Sequence, residues 1–328
     1  MASLRRAFEV LFAERRLPHA WDKRIQHALY KKALDRSLRQ AFALPPMPCD
    51  PGAPVELHMV TSIADFEMAV MALKSLLRYA PGLAVVIHGD ETLDDRLMTA
   101  IAAQIPGTRF VPLTEAVRLA EGAAHPIADY RAQYPARMAL DQHWQRHARA
   151  WALRIFDVHL SARAERIIVL DSDSLFLQPP GRVLEWIAGD DATSLFPSPW
   201  KPNLHVPADA LQQLFPGLPI IPAFNAGLLC FTTRALPVDL MLSVSRKLFA
   251  HPNVPVFADE CVWRYAYSQI PHEMLPHERY AMMSNLAGYR SLTAGEDHIA
   301  WAHFLMKHRQ GLYRRLADQV VRELGAQA

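Results

Sequence analysis

Residues 166–177 read RIIVLDSDSLFL, and this segment constrains the fold more than any other. Ile167 to Leu170 is an apolar stretch rich in β-branched residues, the composition of a strand buried on both faces of a parallel sheet. Asp171 and Asp173 follow at once. In an extended chain residues i and i+2 point the same way, so the spacing predicts two carboxylates facing together just past the carboxyl end of a strand. Open α/β sheets bind their ligands at that edge. Adjacent carboxylates repel unless a cation holds them, and hard oxygen donors suit Mg2+ or Mn2+. The same residues also suit a polar turn that caps the next helix, and an isolated Asp-x-Asp decides nothing. The strand before it and the residues downstream carry the argument.

From Val55 onward apolar runs alternate with amphipathic ones, which predicts an α/β domain with a mostly parallel sheet. Glu56–Thr61 reads as a strand, and Asp65–Tyr79 as a helix closed by Pro81-Gly82. Leu83–His88 is the next strand, ending in Gly89-Asp90-Glu91. Asp94–Gln104 reads as a helix and Arg109–Pro112 as a third strand. After a looser stretch, Met138–Leu160 is expected to be helical and to deliver the chain into the Asp-x-Asp strand. The proline-dotted residues 196–223 read as a lid-like loop.

The first 43 residues stand apart. Arg5, Arg6, Arg15, Arg16, Lys23, Arg24, Lys31, Lys32, Arg36 and Arg39 face only Glu9, Glu14, Asp22 and Asp35. Leu4, Phe8, Leu11 and Phe12 recur at helical spacing, as do Ile25, Leu29, Ala33 and Leu34, and prolines at 45, 46 and 48 close the segment. Two basic amphipathic helices and a proline-rich linker are expected. Such a face suits peripheral contact with an anionic membrane through residues 1–43; a solvated extension packed on the main domain is the commoner case. Net charge is +2, which gives no electrostatic case for nucleic acid. Cys49, Cys230 and Cys261 are widely spaced and form no metal or redox pattern, which suits a reducing, cytoplasmic compartment. Arg5, Arg6, Glu9 and Glu14 interrupt the apolar start, so no secretion signal is expected.

Two enzyme classes put Asp-x-Asp after such a strand. Phosphotransferases resembling haloacid dehalogenases use the first Asp as nucleophile and the second as acid/base, and DSDSLF fits locally. That class also needs a long run of intermediate parts before a further acidic pair, whereas Gly189-Asp190-Asp191 comes only 18 residues after Asp171. The second class continues with Phe224-Asn225-Ala226-Gly227, then Asp259-Glu260, then Ala302-His303-Phe304, in the order found here. On these motifs the chain resembles the GT-A fold nucleotide-sugar glycosyltransferases, and is most similar to the retaining glycogenin and lipopolysaccharide galactosyltransferase group.

The resemblance implies an α/β, Rossmann-like GT-A domain over residues 51–328, with a mostly parallel sheet flanked by helices, behind a basic helical extension and linker over 1–50. It implies transfer of a sugar from a nucleoside-diphosphate sugar, with UDP-sugar first among donors, to a glycan or lipid-linked hydroxyl acceptor. Mn2+ or Mg2+ would be held by Asp171, Asp173 and His303, with His298 as a competing ligand. Donor binding would fall to Thr61 and Ser62, Asp90, Arg154 with Arg149 as competitor, Asp171, Ser172, Ala226 and Gly227. Lys307 and Arg309 compete to grip the diphosphate, although the glycine that the family has after its late His-Phe is absent. Asn225 offers donor and acceptor to sugar hydroxyls. Asp259 would contact the transferred sugar. Glu260 stands where the family usually has Gln, beneath the anomeric carbon, which leaves nucleophile, electrostatic stabiliser and base open. A non-catalytic sugar-nucleotide or glycan-binding protein on the same fold is the reading from another class; a complete metal-ligand set argues against it.

Overall fold

The computed structural model describes residues 38–124, 126–129, 154–204, 206–250, 258–283, 299–304 and 313–327. The basic segment up to residue 37, Arg149, His298, Lys307 and Arg309 lie outside the described residues, as does most of the helix expected over 138–160. Ten strands are described: β1 (Val55–Thr61), β2 (Ala84–Gly89), β3 (Arg109–Val111), β4 (Arg166–Leu170), β5 (Ser174–Phe176), β6 (Ser194–Pro197), β7 (Leu228–Thr232), β8 (His272–Leu275), β9 (Tyr280–Met282) and β10 (Trp301–His303). The main sheet has the order β3-β2-β1-β4-β7-β6-β8, and β5-β10-β9 form a second, small sheet. In the main sheet β7 alone runs against its neighbours. The carboxyl ends of β1, β2, β4 and β6 therefore share one edge with the amino end of β7.

The described helices are α1 (Phe66–Leu77), α2 (Asp95–Gln104), α3 (Leu113–Glu121), α4 (Gly181–Ala188), α5 (Ala208–Leu214), α6 (Val238–Ala250), α7 (Ala258–Tyr267) and α8 (Arg314–Gln327). Residues 154–161 are helical as well. The expected helix start at Asp94 is its N-cap, whose carboxylate accepts from Leu97 N at 2.9 Å. Two expectations fail. The looser stretch after β3 contains α3, which buries Ala116 and Ala120 behind Pro112, and residues 196–223 contain the short helix α5.

Strand alternation divides the core. Ile168 and Leu170 pack with Leu57, Met59, Val85 and Ile87 against Leu73 and Ile101 of α1 and α2. Ile167 and Val169 face the other way, into a cluster with Phe156, Phe231 and Trp263. A strand covered on both faces is why β4 is apolar from Ile167 to Leu170.

Two buried polar groups tie neighbouring segments to this core. Lys74 is fully buried in α1 and donates to Ala41 O at 3.0 Å, Leu44 O at 3.3 Å, Pro45 O at 3.1 Å and Gln104 Oε1 at 2.7 Å. It ties the chain at 41–45 to the domain, and burial pushes its ammonium down to about 8. Glu56, buried in β1, accepts from Arg163 N at 2.7 Å, Ala164 N at 3.2 Å and Arg109 Nη2 at 2.7 Å. Burial alone would raise its carboxyl, but these bonds and one with His58 outweigh that and hold it at about 2, below 4.5. The stabilisation is present above pH 4.5 and is lost as pH falls toward 2; the shift amounts to about 3 kcal/mol. Glu56→Gln is therefore expected to lower the urea midpoint at neutral pH, with the gap to the wild type closing below pH 4.5. A gap that stays constant down to pH 2 would refute this account.

Candidate functional site

Asp171 and Asp173 lie directly after β4, and backbone bonds fix both. Asp171 N donates to Gly227 O at 2.9 Å, and Phe304 N donates to Asp173 O at 2.9 Å. Residues 172 and 173 form a turn, so the carboxylates converge by folding back and not by strand alternation. Ser172 is half-buried between them, and Ser174 Oγ braces the turn by donating to Asp171 O at 2.7 Å.

His303 ends β10 and sits opposite Ser174 in the antiparallel pair with β5. Its Nε2 lies 3.1 Å from Asp173 Oδ1 and 3.4 Å from Asp171 Oδ2. Its Nδ1 lies 3.1 Å from Asn225 Oδ1, an oxygen that also accepts from Gly227 N at 2.9 Å. That oxygen needs a donor, so Nδ1 carries the proton and the Nε2 lone pair faces the carboxylates. Three ligand atoms, from Asp171, Asp173 and His303, lie within 4.8 Å of one another. Lone pairs that converge this closely call for a cation between them, and two oxygens with one imidazole nitrogen suit a hard or borderline divalent ion. Gly227 makes room: a Cβ there would fall 2.5 Å from His303 Nδ1 and 2.9 Å from Asn225 Oδ1.

Arg154, buried on the helical stretch before β4, joins this cluster to the next. Its Nη1 lies 3.1 Å from Asp171 Oδ1 and 3.6 Å from Asp259 Oδ2, and its Nη2 donates to Ala226 O. Burial pushes the Asp259 carboxyl up to about 6, with Arg154 pulling the other way. Glu260, the next residue of α7, is less buried. Its Oε1 accepts from Asn203 Nδ2 at 3.0 Å and Arg264 Nη2 at 2.9 Å.

Asn225 turns its amide into the protein: besides the two bonds to Oδ1, its Nδ2 lies 3.0 Å from Met282 Sδ. These bonds make Asn225 a brace behind His303. Thr61 ends β1 and Asp90 directly follows β2, on the same sheet edge. Asp90 Oδ1 accepts from Thr92 N at 2.8 Å and Thr92 Oγ1 at 2.5 Å, and that hydroxyl accepts from Ile63 N at 2.8 Å, locking the two loops together. Ser62 Oγ accepts from Ala64 N at 3.2 Å. Asp191, the acid of the competing phosphotransferase reading, pairs instead with Arg182, at 2.5 Å.

Sequence reasoning missed Asn203 and Arg264. Arg264 had a signal, since it lies four residues after Glu260, the spacing of neighbours on a helix face. Asn203 had none, because its partners are brought to it by the turns of the loop.

No family model matches the chain, and no curated protein matches it by sequence. Solved structures do. The galactosyltransferase LgtC, in complex with donor and acceptor sugar analogues, is 15% identical with a TM-score of 0.55, over 82% of this chain and 95% of LgtC. An active-site glutamine-to-glutamate mutant of LgtC gives 14% identity and a TM-score of 0.54, over 83% and 95%. The bifunctional glycosyltransferase WbbM is 15% identical with a TM-score of 0.50, and this chain spans only 46% of its length. With the strand order and the single reversed strand, these likenesses give the architecture: the chain has the GT-A fold.

Proposed function

We propose that the chain is a metal-dependent glycosyltransferase that moves a sugar from a nucleoside-diphosphate sugar to a hydroxyl of a glycan or lipid-linked acceptor. The convergence of Asp171, Asp173 and His303 at the ligand-binding edge of a GT-A sheet carries this reading. These three residues would hold Mn2+ or Mg2+, which when bound supplies positive charge against the departing diphosphate. Asn225 fixes the His303 tautomer and Gly227 leaves the imidazole its space. Arg154 holds Asp171 and Asp259 in register, so that donor phosphate and transferred sugar meet adjoining parts of one polar cluster. Asp259 and Glu260 face the sugar in this reading, Thr61, Ser62 and Asp90 the nucleoside, and Lys307 or Arg309 adds a cation to the diphosphate. Residues 1–50 are read as the basic extension and linker ahead of the transferase domain.

The test is a panel of sugar nucleotides, led by UDP-sugars, incubated with Mn2+ and scored for release of nucleoside diphosphate. Release across at least one donor, lost in excess EDTA, supports the reading. Trapping of an aspartyl-phosphate on Asp171 with beryllofluoride would replace it with phosphoryl transfer. Asn225→Ala is expected to weaken Mn2+ binding about 10- to 100-fold, the usual effect of removing the brace of a ligating histidine. Titration calorimetry checks this; unchanged affinity would mean that Asn225 does not set the ligand.

A further inference from the structure

We infer that Arg264, together with Asn203, is a positioning residue that holds the Glu260 carboxylate in its working orientation. This rests on the reading of Glu260 as a group beneath the transferred sugar. Arg264 is fully buried on α7, and among the described residues its bonds run through one nitrogen: Nη2 donates to Glu260 Oε1 at 2.9 Å, Asn203 Oδ1 at 2.8 Å and Asn203 O at 3.1 Å. Its Nε and Nη1 are buried and have no partner among the described residues. A guanidinium placed for stability satisfies its fork, and unpaired buried N–H groups are destabilising. An apolar side chain in its place would leave the Glu260 carboxylate and both Asn203 oxygens without this donor, so the arginine is tied to that carboxylate. What the arginine does achieve is orientation.

Asn203 completes the clamp. Its Nδ2 donates to Glu260 Oε1 at 3.0 Å and Phe224 O at 2.8 Å, and its Oδ1 accepts from Phe224 N at 3.0 Å. Phe224 immediately precedes the Asn225-Ala226-Gly227 turn that braces His303. One asparagine therefore sets the Glu260 carboxylate relative to the metal-ligand cluster. A carboxylate gripped by two donors through one oxygen loses rotamer freedom, which suits a fixed electrostatic partner for cationic character on the sugar.

The test is a double-mutant cycle on the full-length enzyme, with Mn2+ and the sugar nucleotide that the donor panel selects. Arg264→Met is expected to lower kcat about 10- to 100-fold, the scale of an ångström-sized misplacement, with donor KM little changed. Arg264→Lys should recover part of the loss. In a Glu260→Gln background Arg264→Met should have almost no further effect, because its action passes through that carboxylate. Arg264→Met also leaves Glu260 and the Asn203 oxygens without their donor and is expected to lower the melting temperature, so kcat is scored per folded molecule. An equal loss in both backgrounds, or a lower melting temperature with normal kcat per folded molecule, overturns the proposal. Asn203→Ala provides the same cycle should Arg264→Met fold poorly. Were Glu260→Gln itself silent, the catalytic reading of Glu260 would fall, a separate result from a failed coupling.

Discussion

Asp173→Asn is expected to abolish metal-dependent release of nucleoside diphosphate and leave the fold standing. Asp173 is buried, and its Oδ1 faces His303 Nε2 at 3.1 Å. Asparagine preserves the volume and can donate to the imidazole lone pair, so the apo protein keeps a satisfied contact. It removes a charge, and with it part of the demand for a cation. Several kcal/mol of transition-state stabilisation depend on the ion, so turnover should fall by at least about 1000-fold. Titration with Mn2+ should show lost binding, and a thermal melt should show an apo variant at least as stable as the wild type, since two facing carboxylates have become one. Full activity of Asp173→Asn, or wild-type activity in excess EDTA, would remove the metal from the mechanism.

Glu260→Ala should reduce turnover by roughly two to four orders of magnitude, the range for loss of a catalytic carboxylate or base, with donor binding little changed. The carboxylate lies on the first turn of α7 beside Asp259, at the end of the clamp formed by Asn203 and Arg264. Glu260→Gln separates the roles. Substantial residual activity points to electrostatics, whereas near-complete loss points to a nucleophile or base. Proton NMR of the anomeric product then reads retention or inversion directly. Near-normal turnover of Glu260→Ala would mean that α7 merely begins with an acid at this position.

Much of the first half of the fold was legible because it is periodic. The strands at 55–61 and 84–89 and the helices at 66–77 and 95–104 are long enough for period 2 or 3.6 to emerge, and Asp94 marks its helix start. The small sheet was not legible. SLF, YAM and WAH are three residues each and acquire their strand character only from one another. The antiparallel setting of β7 was equally hidden, since the apolar run LLCFT reads the same in either direction. At the site, residue types in order brought Asp171, Asp173 and His303 into consideration, yet the side-chain direction of Asn225 could not be read from Phe-Asn-Ala-Gly. An amide next to a glycine suits a sugar or a histidine equally until the fold places His303 at 3.1 Å.

The pairing of β5 with β10 has a temporal consequence. Asp173 and His303 are separated by 130 residues, and the strand that carries His303 closes a sheet begun just after the Asp-x-Asp turn. During synthesis all described strands of the main sheet precede β10, so the two carboxylates are made well before the histidine that faces them. In the proposed reading, competence for metal would wait for the last described strand.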